Sequence, residues 1–137
     1  MKKQSLLGRQ TTMNVEKTRA YYEDFHEEDR CPCAYCGNYE REIARAYPAL
    51  AKTLEEMGID IKKPFETMPL EPDADGIEYI GAQYLVLGEE TGFERTRVGD
   101  VVIDLAETHP TTDLEEVHFV IEVGPAHLPW TEETGES

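Results

Sequence analysis

Tyr39, Ile43, Tyr47, Leu50, Leu54 and Met57 are spaced by 4, 4, 3, 4 and 3 residues. An α-helix turns once every 3.6 residues, so this spacing stacks all six side chains on one face. Glu40, Arg41, Glu42, Arg45, Lys52, Glu55 and Glu56 fall largely elsewhere. Gly58 is placed to end the helix in a left-handed conformation, with Ile59 folding back on the last turn. Pro48 interrupts the stripe. A proline inside a helix removes a donor and clashes one turn back. Either the helix kinks there, or a second helix begins with Pro48 in its first turn. Val15, Tyr22 and Phe25 are close to helical spacing and predict a short earlier helix between Asn14 and Phe25.

The period changes in the second half. Residues 79–87 are rich in aromatic and branched side chains, as is Val101-Val102-Ile103-Asp104-Leu105. Val117, Phe119, Ile121 and Val123 alternate with His118, Val120 and Glu122, which predicts a strand with a distinct inner face. The connections carry Gly88, Gly92, Gly99, Pro110 and Asp113 and are too short and polar for crossover helices. The strands are therefore expected to be antiparallel. Between the halves, Pro64, Pro69 and Pro72 predict an extended surface path anchored by Phe65, Met68 and Leu70. Asp73-Ala74-Asp75-Gly76 reads as a turn. A calcium loop starting at Glu71 is disfavoured, because its twelfth position is Ala82 where a bidentate Glu is needed. The expected architecture is α+β: N-terminal helices packed on a small antiparallel β-sheet formed by the C-terminal half. One domain spanning 1–137 is expected, with a loose N-terminus over 1–12 and a frayed acidic tail over 131–137.

Charge is distributed unevenly. The net formal charge is −16. Residues 71–137 hold 17 acidic residues against Arg95 and Arg97, a net of −15; residues 1–70 hold 12 acidic and 11 basic residues. Such a surface repels nucleic-acid phosphates and attracts a basic protein partner. It also serves solubility without any partner. No apolar run approaches the roughly 20 residues that span a bilayer. The apolar stretch near the start, Leu6-Leu7, is far short of the roughly 7–15 residues of a secretory signal. A cytoplasmic protein with reduced thiols is expected.

All three cysteines lie within Cys31-Pro32-Cys33-Ala34-Tyr35-Cys36, five residues after His26. Cys31, Cys33 and Cys36 with His26 would supply the four ligands of a tetrahedral zinc site. His109, His118 or His127 would be the fourth ligand if the sheet closed the site. A second Cys-x-x-Cys or a paired histidine motif is missing. Thiol chemistry is a second reading, since a helix N-terminus favours a thiolate. However, His26-Glu27-Glu28-Asp29-Arg30 cannot form the buried strand that precedes a thioredoxin-like motif, and its acids oppose a thiolate. The plainest reading is core: Cys36 lies three residues before Tyr39 and seven before Ile43 and extends the apolar stripe.

Other chemistry is largely excluded. Ser5 and Ser137 are the only serines, which argues against a Ser-His-Asp hydrolase. Neither phosphate-binding glycine motif is present. His109-Pro110-Thr111-Thr112-Asp113 reads either as a functional loop or as a turn between strands. The segments 18–22, 33–39, 47–50, 57–60 and 63–66, with 83–88 and 118–121, resemble a family of small uncharacterised proteins from Gram-positive bacteria. The resemblance implies a bacterial, cytoplasmic protein and carries over no activity, cofactor or catalytic residue. Two functions remain. One is a non-enzymatic acidic binding protein with a structural cysteine cluster, with or without zinc. The other is a small metal-dependent or thiol enzyme centred on that cluster.

Overall fold

A computed structural model describes residues 12–24, 34–90, 93–112 and 114–130. In chain order the elements are β1 (Thr12–Met13), α1 (Val15–Glu23), α2 (Ala34–Ala46), α3 (Pro48–Glu56), β2 (Glu66–Pro69), β3 (Ile77–Glu89), β4 (Thr96–Val98), β5 (Val101–Leu105), β6 (His118–Gly124) and β7 (Ala126–Leu128). The three helices come from the N-terminal half, and the antiparallel sheet mostly from the C-terminal half. The fold is α+β.

Pro48 begins a second helix. It occupies the first turn of α3, where its missing N–H costs no intrahelical bond. The helix ends as its sequence demands. Gly58 has φ +88°, Gly58 N donates to Glu55 O, and Ile59 N donates to Leu54 O, at 2.9 Å each. These are the two bonds of a Schellman ending, and Ile59 is buried behind it. α1 is capped by Asn14, whose Oδ1 accepts from Lys17 N at 2.9 Å.

β3 is the spine of the sheet. It pairs with β6 and β7 along one edge, and with β2 and β1 along the other. β5 and then β4 extend the sheet beyond β6. Between β2 and β1 the edge of β3 has no strand partner among the described residues. Side chains of α1 fill the gap: Tyr22 Oη donates to Leu85 O at 2.8 Å, and Thr18 Oγ1 accepts from Leu87 N at 2.9 Å. Backbone polar groups that would be orphaned on a buried edge are thus satisfied.

The inner face of the sheet carries Ile77, Tyr79, Ala82, Tyr84 and Val86 from β3, with Phe119, Ile121, Val123, Ala126 and Leu128 from β6 and β7. The parity slips by one residue at Ile80–Gly81, where the β2 register also shifts between Met68 and Pro69. Such a bulge re-aims every side chain beyond it. Across from it, Pro125 interrupts the ladder. A Cβ on Gly124 would lie 2.5 Å from Ile80 O, so the two backbones approach as only glycine permits.

Tyr22, Tyr39, Ile43, Leu50, Leu54 and Met57 of the helical segment fill the core against the sheet's inner face. Tyr47 is half-buried beside them. Several expectations need correction. The proline-rich stretch contains β2, because Glu66 to Pro69 pair with β3. The Leu70 side chain is 49% exposed, and its residue is held to β3 by its backbone instead, Leu70 N donating to Glu78 O at 2.9 Å. Val117 is 65% exposed, because β6 begins one residue later and the inner face starts at Phe119. β1, β4 and β7 are too short for alternation to have revealed them. The expected turn at 73–76 forms, with Asp73 N and Gly76 O 2.8 Å apart. Phe25 and the expected acidic tail lie outside the described residues, as do residues 1–11.

Candidate functional site

Four residues stand in one row across the outer face of the sheet, away from the helices. Glu66 on β2 pairs with Gln83 on β3, Gln83 with Glu122 on β6, and Glu122 with Asp104 on β5. Residues paired directly across strands share a face, with Cβ atoms roughly 5 Å apart. The row therefore sets a carboxylate on either side of the Gln83 amide, with Asp104 one strand beyond Glu122. Beside the row stand Met68, Ile80 and Val102, with Leu105 at the end of β5, and the connection after β5 supplies Glu107, Thr108, His109 and Pro110. Together they enclose an open cleft of about 810 Å³.

Gln83 is the unusual member. A long amide on an outer strand face is ordinarily solvated, yet Gln83 is only 3% exposed. Its Nε2 donates to Thr108 O at 2.8 Å and to Glu122 Oε1 at 3.2 Å, tying the connection after β5 to the sheet. Both acceptors face the nitrogen, so the amide orientation is fixed by its partners. Its Oε1 is buried and has no hydrogen-bond partner among the described residues. A buried acceptor left without a donor costs about 1–3 kcal/mol, and each instance in a folded protein calls for a cause.

The neighbouring charges add to the strain on this row. Glu122 and Asp104 are opposed across β6 and β5, an arrangement in which like charges destabilise a sheet. The relief is slight: Arg95 Nε reaches Asp104 Oδ2 at 4.0 Å in an exposed contact. Arg97 on β4 pairs with Val102 on β5, so both basic residues of the C-terminal half belong to this rim of the sheet. His109 packs its ring edge-on to Phe65, 6.5 Å between centroids, and its Nδ1 lies 2.8 Å from Pro110 O. Residues 109–112, expected as either a functional loop or an inter-strand turn, lie in a connection between strands. It joins β5 to β6 and its first residues line the cleft.

The cysteine site fares differently. Cys31, Cys33 and His26 lie outside the described residues. Cys36 sits in the first turn of α2, buried, with its Sγ 3.4 Å from Thr67 Oγ1 on β2. It belongs with the helix-to-sheet packing and lines neither the outer cleft nor the smaller one beside α1 and α3. The sheet histidines are engaged elsewhere. His118 places Nε2 2.8 Å from Thr112 Oγ1 and Nδ1 2.6 Å from Glu116 O. His127 Nε2 lies 3.0 Å from Asp75 O, and its Nδ1 3.7 Å from Glu78 Oε1. The Asp75 carbonyl first, and the Glu78 carboxylate after it, raise the His127 pKa above its ordinary value. Among the described residues no three His, Cys, Asp or Glu side chains are grouped to hold a metal ion.

Sequence reasoning did not single out Glu66, Gln83, Asp104 or Glu122. A signal was present, since Asp104 and Glu122 are charged residues inside otherwise apolar strands. It was hidden among 29 acidic residues. Among the described residues no helix is long and apolar enough to cross a membrane. No protein-family model, curated protein or solved structure matches the chain.

Proposed function

We propose that this chain is a non-enzymatic binding protein whose acidic C-terminal half receives a basic protein partner, with the outer cleft as the contact. The carrying observation is the row Glu66–Gln83–Glu122–Asp104, which places acceptors side by side on a face that no helix of the described residues lines. Carboxylates held next to one another against their mutual repulsion are relieved by a cation from outside. The surrounding field works in the same sense, with a net charge of −15 over residues 71–137. It steers a basic partner inward from a distance of about one Debye length. The cysteine cluster is structural in this reading, as the packing of Cys36 against Thr67 supports.

The test is titration calorimetry with a synthetic basic peptide of alternating lysine and glycine. One-to-one binding at low ionic strength that weakens at least about tenfold between roughly 0.05 M and 0.5 M salt is expected. Absence of binding at low salt overturns the reading. Binding indifferent to salt overturns its electrostatic basis.

A further inference from the structure

We infer that the cleft is a seat for an arginine side chain presented by the basic partner. This inference rests on the binding reading above and adds the identity of the group recognised. Three features of the floor select it. The first is the imbalance of hydrogen-bonding groups. Glu66, Glu122 and Asp104 offer carboxylate oxygens, Gln83 Oε1 is an acceptor with no donor, and Gln83 Nε2 is already spent on Thr108 O and Glu122. The missing partner is therefore rich in donors and needs no acceptor. A guanidinium has five N–H donors and no acceptor at all.

The second feature is shape. The acceptors lie in a line across adjacent strands, so they meet a planar fork better than a point charge. A guanidinium over the Gln83 position reaches the carboxylate on either side and turns another N–H toward Gln83 Oε1. That oxygen is closed to water in the unliganded chain, so seating the group requires a side-chain adjustment on the floor. An ammonium is compact and strongly hydrated and gains less from such a row. The third feature is the apolar border of Met68, Ile80 and Val102, with Ile80 itself 55% exposed. It suits the methylene stem of a long cationic side chain.

The experiment compares two peptides of equal length and charge, one carrying arginine and the other lysine at the same positions. Binding to the full chain is followed by calorimetry and by the NMR signal of the Gln83 side-chain amide. The arginine peptide is expected to bind at least about fivefold more tightly and to shift that amide signal, in line with the stronger bidentate contacts of guanidinium. Gln83→Met keeps the length and removes the acceptor, so the arginine-to-lysine ratio falls toward one. Glu66→Gln lies on an exposed strand position where folding is not at stake, and it lowers affinity for the arginine peptide more than for the lysine peptide. Equal affinities for the two peptides in the unaltered protein overturn the arginine seat while the acidic-binding reading stands. An unmoved Gln83 amide signal, or a preference untouched in both variants, also overturns it. Failure of both peptides to bind removes both readings together.

Discussion

Tyr39 and Tyr84 show how a single atom's bonding decides a residue's role. Their hydroxyl oxygens lie 2.6 Å apart in the core, and Tyr84 Oη donates to Ile61 O at 2.7 Å. With that proton committed, Tyr39 is the donor to Tyr84. The chain from α2 through β3 to the loop after α3 is thus satisfied without water. Burial is the main cause that raises the pKa of Tyr22, Tyr39 and Tyr84 above the ordinary value of 10.0. The phenolate is the charged form and burial disfavours it, so the folded-state pKa exceeds the unfolded one. The stabilising contribution is complete below the unfolded value and is lost as pH rises through the folded value. An ultraviolet absorbance titration should find at least three of the seven tyrosines ionising only together with loss of near-ultraviolet circular dichroism. Smooth ionisation of all seven in a folded chain would contradict the burial.

At the scale of the element, the end of α3 joins a local signal to a tertiary one. Gly58 is required twice over. Its φ of +88° is one that side-chain-bearing residues rarely adopt, and a Cβ there would lie 2.5 Å from Val15 O at the start of α1. Gly58→Ala should therefore cost more than the left-handed conformation alone, at least about 2 kcal/mol. Urea unfolding measures this. A loss below about 0.5 kcal/mol would show that α1 and α3 do not approach as described. Pro48 works at the other end of the same helix. It breaks one apolar stripe into two helices without moving any of the six apolar residues off the core side, because the change of direction falls at Tyr47.

For the whole molecule, the outer cleft sets stability against binding. Glu122 faces Asp104 across the sheet with little compensation. Glu122→Gln keeps an acceptor for Gln83 and removes one charge. It should raise stability by on the order of 0.5 kcal/mol while weakening capture of a basic peptide. Thermal unfolding and calorimetry on the same sample test both halves. A destabilised variant, or unchanged capture, would separate this carboxylate from the proposed site. What the sequence determined by itself is local and periodic. Tyr39 to Met57 had to form helices with one apolar face, Gly58 had to end them, and residues 79–87, 101–105 and 117–123 read as strands joined by short polar connections. These follow from backbone sterics and from burying apolar area, which nearest neighbours in the chain express. Only the tertiary structure decided which faces met. In strict alternation from Ile77 and Tyr79, Gln83 would enter the core and Tyr84 would face outward. The slip at Ile80–Gly81, held by close contact with Gly124, reverses both. Glu66, Glu122 and Asp104 come level with Gln83 only through strand register, a relation between residues up to 56 positions apart. Register is fixed by the packing of whole strands, and no stretch of neighbouring residues encodes it.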